Sequence, residues 1–147
     1  MRKHDFTAVA YVRGSGAYPD IRGCVRFRQM DGGVLVTAEI RGLPGDDGIF
    51  AFHIHSGTGG TGEGSFACVG GHYDPADRPH PYHAGDLPPL FGNRGYAYLS
   101  VFTNRFTVDE VIGRAVVIHA KPDDFTTQPS GNSGERIACG EIRRRVG

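Results

Sequence analysis

The chain has 147 residues, enough for one domain with a real hydrophobic core. Gly 23 and Pro 9 are high counts beside a hydrophobic fraction of 39%, which argues against a helical bundle and for short strands joined by turns. Sixteen basic residues balance sixteen acidic ones, and no basic stripe stands out along the sequence, which argues against nucleic acid as a partner. No stretch is apolar for long enough to span a bilayer. The start, Met1-Arg2-Lys3-His4-Asp5, is charged but has no apolar core behind it, so it does not read as a signal peptide. The expectation is a cytoplasmic protein, with an exported form whose leader is missing as the alternative.

In chain order, residues 6–13 are rich in Val, Tyr and Thr and read as a strand. Residues 21–30 alternate in their second half, with Val25 and Phe27 on one face and Arg26 and Arg28 on the other. Residues 34–41 alternate more cleanly, with Val34, Val36, Ala38 and Ile40 on one side, the signature of a half-buried strand. Gly14-Ser15-Gly16 and Asp31-Gly32-Gly33 supply turn chemistry between them, so these three strands read as a meander. Further strands are expected over 49–55, 95–102, 115–120 and 136–142. Thr107-Val108-Asp109-Glu110 matches a capping box and predicts one helical turn. Arg143, Arg144 and Arg145 read as a solvated tail. Seven or so short strands without a repeat or linker make one domain over 1–147, a sandwich or barrel.

Two segments break the rhythm. Residues 56–93 show no strand pattern and are packed with Gly, Pro and His; residues 121–135 are a second irregular stretch. Structureless loops of this length are usually functional or disordered. Six of the seven histidines are His53, His55, His72, His80, His83 and His119. His53 and His55 sit two apart on a predicted strand, so both rings leave the same face. Taken alone, that pair reads as well as two half-exposed histidines. His72, His80, His83 and Asp86 then place three imidazoles and a carboxylate within fifteen residues of loop, a donor set suited to zinc. His119 ends an apolar run, where a hydrogen-bonded strand-end histidine is the ordinary reading.

Together these elements resemble the copper–zinc superoxide dismutase family. The carriers are Phe52-His53-Ile54-His55, Gly70-Gly71-His72-Tyr73-Asp74-Pro75, His80 through His83-Ala84-Gly85-Asp86-Leu87, Gly113-Arg114 through Val117-Ile118-His119, and Gly131-Asn132-Ser133-Gly134-Glu135-Arg136-Ile137-Ala138-Cys139-Gly140. The likeness covers nearly the whole chain, and its Gly-Glu-Arg wording looks bacterial. It implies an all-β fold, a Greek-key sandwich or flattened barrel of about eight antiparallel strands with two long functional loops. It also implies copper on His53, His55, His72 and His119, and zinc on His72, His80, His83 and Asp86, with His72 as a bridging imidazolate. Asp123 would tie a copper histidine to a zinc histidine, with Asp124 as a competitor for that role. Arg136 would dock the anionic substrate, and Cys68 and Cys139 would form a disulfide, leaving Cys24 free.

The implied activity disproportionates superoxide to O₂ and H₂O₂ by Cu(II)/Cu(I) cycling, with His72 taking and returning a proton. The alternatives are a copper/zinc-buffering protein of the same fold with little turnover, and a structural sandwich with accidental histidines. Superoxide is the expected partner, no membrane is expected, and a homodimer is left open. The sequence departs from the family in two places. Cys68 stands only four residues before His72, and the loop over 121–135 is short and carries Phe125, Thr126, Thr127, Gln128 and Pro129 where charged residues often steer substrate. Tyr82 and Pro88-Pro89 read as packing.

Overall fold

The computed structural model describes residues 7–58 and 69–145. Its strands are β1 (Thr7–Gly14), β2 (Arg22–Met30), β3 (Gly33–Arg41), β4 (Ile49–His55), β5 (Asp86–Phe91), β6 (Ala97–Thr103), β7 (Ala115–His119) and β8 (Arg136–Arg145), with one helical turn, α1 (Val108–Val111), before β7. All pairings are antiparallel, and the order is β5-β4-β7-β8-β1-β2-β3-β6. The connections from β3 to β4 and from β6 to β7 therefore leave the meander and cross over, in Greek-key fashion. The edge strands β5 and β6 approach one another without pairing, so the sheet curls into a nearly closed barrel.

Alternation explains the barrel. Ala8, Ala10 and Val12 on β1, Val25 and Phe27 on β2, and Val34, Val36, Ala38 and Ile40 on β3 all point inward and are buried in one core. Phe52 and Ile54 on β4 and Val116 and Ile118 on β7 complete it from the other side. Removing a buried ring such as Phe27 or Phe52 would cost about 3–5 kcal/mol, because the cavity refills only in part. The capping box at Thr107 forms, with Glu110 reaching back to the Thr107 backbone, and Val108 and Val111 dock that turn on the core. No helix of the described residues is long and apolar enough to cross a membrane.

Two expectations need correcting. A strand lies inside the segment read as structureless, since Asp86–Phe91 pairs with β4 as β5. Pro88 and Pro89 hid it, because proline gives the ladder no N–H. It is tolerated here because β5 is an edge strand whose register shifts beside the prolines. Arg143, Arg144 and Arg145 are not a free tail but the end of β8, where Arg143 faces Val9 and Arg145 faces Thr7.

Only one residue of the expected disulfide is among the described residues. Cys68 lies outside the described residues. Cys139 carries a free thiol, buried with Val69, Ala115 and Val117, and no disulfide forms among the described residues.

Candidate metal centre

β4 is the scaffold of the site. Its inward residues Phe52 and Ile54 enter the core, so His53 and His55 leave the outer face of the barrel. Both are nevertheless fully buried, because the segments around His72 and Asp123 cover that face. His119 arrives from the end of β7, the next strand over. His72 is held by a bridge to His55. His53, His55, His72 and His119 each offer a ligand atom within 4.8 Å of the others, as do His53, His72, His80 and Asp86.

Hydrogen bonds decide which nitrogen each ring presents. His55 Nδ1 lies 2.8 Å from the Gly70 carbonyl and His119 Nδ1 lies 3.2 Å from that of Gly134, so both rings donate there and present Nε2. These two Nε2 atoms stand 3.2 Å apart. His53 is turned the other way: its Nε2 donates to Asp123 Oδ2 at 2.7 Å, which leaves Nδ1. The other oxygen of Asp123 accepts from His80 Nε2, also at 2.7 Å, so one carboxylate orients a ring in each set. Asp124 does something else. It caps the backbone N–H groups of Thr126 and Thr127 at the surface.

The second set gathers around Asp86. His72 Nδ1 is 2.7 Å from Asp86 Oδ1, His80 Nδ1 is 3.0 Å from Asp86 Oδ2, and His83 Nδ1 is 3.2 Å from the same oxygen. His83 Nδ1 is also 3.1 Å from His72 Nδ1. His72 therefore offers Nδ1 to this cluster and Nε2 to the other.

Among the described residues, three buried ring atoms have no hydrogen-bond partner: His53 Nδ1, His72 Nε2 and His80 Nδ1. His80 Nδ1 is close to Asp86 yet not aligned for a hydrogen bond with it, as expected of two donors aimed at a common third point. A buried imidazole nitrogen without a partner is costly, and three in one cluster are more so. Electrostatics push the same way. Burial drives the His55 ring down to about 2, opposed by the hydrogen bond to the Gly70 carbonyl and helped by the nearby Arg136 guanidinium. Burial likewise takes His119 down to about 3. These rings are neutral, with lone pairs available to a cation. Burial works against the charge of Asp123 and Asp86, but hydrogen bonds from His53 and His80, and from His72, hold both well below the usual carboxylate range. Neutral imidazoles and firm carboxylates are what bound divalent ions require.

Arg136 opens β8 opposite His119 and donates through Nη2 to the Gly70 carbonyl at 2.8 Å, the same oxygen that orients His55. Several supporting residues carried no signal of their own in the sequence. Gln128 clamps the His80 backbone, accepting from its N–H at 2.9 Å and donating to its carbonyl at 2.8 Å. Arg105 donates to the Pro81 and His83 carbonyls at 2.8 and 3.3 Å. Gly131, with φ +73°, passes so close that a Cβ would stand 2.0 Å from Asp123 Oδ1. Backbone carbonyls and amide clamps are invisible to residue-type patterns; only the glycine had a hint, in the motif that contains it.

Fold and site thus define a small β-barrel metalloprotein whose two donor sets meet at one histidine. The family model for copper/zinc superoxide dismutase matches residues 21–142. Superoxide dismutase [Cu-Zn] 3 of Arabidopsis thaliana is 36% identical, covering 92% of this chain and 88% of its own length. The superoxide dismutase [Cu-Zn] of Legionella pneumophila is 36% identical over 95% of this chain and 87% of its own. Superoxide dismutase [Cu-Zn] A of Xenopus laevis is 34% identical over 92% and 95%. The chain belongs to the copper/zinc superoxide dismutase family.

Proposed function

We propose that the chain disproportionates superoxide to O₂ and H₂O₂ with one copper and one zinc. The observation that carries this reading is the convergence of buried, unpartnered imidazole nitrogens on two points that share His72. His53 through Nδ1, and His55, His119 and His72 through Nε2, are the copper ligands. His72, His80 and His83 through Nδ1, with Asp86, are the zinc ligands. His53 also reaches the second set, but its Nε2 is engaged by Asp123, whereas His83 Nδ1 faces both His72 and Asp86 directly.

Copper supplies one-electron redox chemistry when bound, and zinc, being d¹⁰, supplies only charge and order. The protein does the rest. His72 presents both ring nitrogens and is placed to carry a proton at Nε2 and deliver it as peroxide forms. Asp123 fixes His53 and His80 in the required orientation. Arg136 holds a cation beside His55 and His119, where a small anion docks. A metal-buffering protein would need neither this arginine nor a shared ring.

Superoxide decay followed by pulse radiolysis on the Cu,Zn-loaded protein tests the proposal; turnover no faster than free buffer would leave only metal buffering. The ligand partition has its own test. His80→Gln should lose zinc and keep copper by elemental analysis, since His80 belongs to one set alone. Loss of copper with zinc retained would reverse the assignment.

A further inference from the structure

Strand register assembles an arginine array that the linear sequence hides. On β2, Arg22, Arg26 and Arg28 alternate with the inward Val25 and Phe27 and are exposed. Arg22 lies opposite Arg13 on β1 and opposite Arg41 on β3, a row of three across three strands. Arg26 and Arg143 lie on either side of Val9, and Arg28 and Arg145 on either side of Thr7. Seven of the sixteen basic residues therefore stand on the outer face of β8-β1-β2-β3.

Only Glu39 and Glu141 oppose them from within that face, and Glu141 is taken by Arg143 at 3.0 Å. Among the described residues no carboxylate lies within ion-pair distance of Arg13, Arg22, Arg26, Arg28 or Arg145. Like charges directly opposite one another are destabilising in a sheet. Outside the Arg143–Glu141 pair and the Arg41 guanidinium 5.0 Å over the Tyr96 ring, the array draws no compensating side-chain ion pair from the described residues.

We propose that this face docks on an anionic phospholipid surface. The charges are spread in two dimensions: about 4.8 Å between neighbours in the Arg13-Arg22-Arg41 row, about 9.6 Å between Arg26 and Arg143 across β1, and about 6.8 Å from Arg26 to Arg28 along β2. They fall into two groups, Arg13-Arg22-Arg41 and Arg26-Arg28-Arg143-Arg145, separated by the row that contains Tyr11, Cys24 and Glu39. A linear polyanion can follow one group; a plane of phosphates meets both. Guanidinium forks suit phosphate oxygens better than ammonium groups do, and all seven arginines are solvent-exposed, six of them outside the Arg143–Glu141 pair. Tyr11, Tyr98 and Phe102 are more than half exposed on the same outer face; the two tyrosines are amphipathic rings of the kind that settle at headgroup depth, and Phe102 adds an apolar ring beside them. The histidine cluster is built on β4, β7 and their loops, so docking leaves it outside the contact.

The test is flotation of the Cu,Zn-loaded protein with vesicles of phosphatidylcholine alone and of equimolar phosphatidylcholine and phosphatidylglycerol. Binding to the anionic vesicles only, and its loss in high salt, is expected. Each of Arg26→Gln and Arg143→Gln should weaken partition roughly fivefold, the equivalent of about 1 kcal/mol per arginine near such a surface. Thermal melts and dismutase rates of both variants should match the parent, since neither residue touches the core or the metal centre. Equal binding to both vesicle types, no binding to the anionic ones, or undiminished binding when Arg26→Gln and Arg143→Gln are combined overturns the proposal. So does an oligonucleotide that displaces the protein from vesicles and binds more tightly through the same arginines.

Discussion

Asp123 is a single carboxylate on which both donor sets depend. Each of its oxygens accepts from a different histidine at 2.7 Å, one ring from β4 and one from the loop before β5. Without it, His53 and His80 keep their positions in the chain but lose what fixes their ring planes. Carboxylates behind metal-bound histidines typically contribute 10–100-fold in affinity. Asp123→Ala should accordingly weaken zinc by about that factor in chelator competition, and weaken copper as well. Gly131→Ala should imitate it, since a Cβ there would enter the Asp123–His80 contact and the backbone sits at φ +73°. Asp124→Ala serves as the control: its bonds go to Thr126 and Thr127, so zinc affinity should not change. If Asp124→Ala proves the more damaging variant, the two aspartates have been assigned the wrong way round.

At the scale of elements, β7 and β8 carry a small second cluster on their outer face, where Val69, Ala115, Val117 and Cys139 are buried together. Burial raises the Cys139 thiol to about 12, with Arg136 opposing, so in the reduced protein it is both shielded and protonated. Iodoacetamide should label the partly exposed Cys24 of the reduced, folded protein and leave Cys139 until unfolding. Val69 directly follows Cys68, so the cluster lies one residue from the expected disulfide partner. Under oxidising conditions a non-reducing peptide map should show Cys68 joined to Cys139, a cross-link worth about 2–4 kcal/mol; a Cys24–Cys139 peptide would refute that pairing. What the sequence disclosed divides along the same physical lines. The meander, β4 and the one-turn helix were legible because alternation and capping act over a few neighbouring residues. The histidines were legible because their spacing is local and their chemistry distinctive. β5 was not, because Pro88 and Pro89 are permitted only by its place at the sheet edge, a fact of topology. The arginine row across β1, β2 and β3 was not, because Arg13, Arg22 and Arg41 meet through register alone.

For the whole molecule, the formal charge of zero conceals a separation of charge that bears on catalysis. Seven arginines on the outer face of β8-β1-β2-β3 draw anions toward strands that carry no metal ligand. Over the histidine cluster, protein cations are few. The loop over 121–135 contributes Lys121 as its single cation, and Arg105 is directed to the carbonyls of Pro81 and His83. Arg136 is different. The Gly70 carbonyl fixes its position beside His55 and His119, where its charge adds in a minor way to the burial that lowers both rings. A short-range cation in a partly desolvated cleft acts far more strongly than distant surface charges, which salt screens beyond about 8 Å at physiological ionic strength. Arg136→Ile should therefore lower kcat/KM for superoxide by roughly tenfold or more, within the range that electrostatic guidance commands (superoxide dismutase is itself a standard instance of that effect). Metal content should be unchanged, because Arg136 ligates neither ion. The residual rate should respond less to added salt, since less of the attraction remains to be screened. Arg136→Lys separates charge from shape: it should recover part of the rate and of the salt slope, though not all, because an ammonium cannot reproduce the fork held against Gly70. Pulse-radiolysis rates for the three proteins across a salt series decide the matter, and identical rates and slopes for parent and Arg136→Ile would remove Arg136 from the path of the substrate.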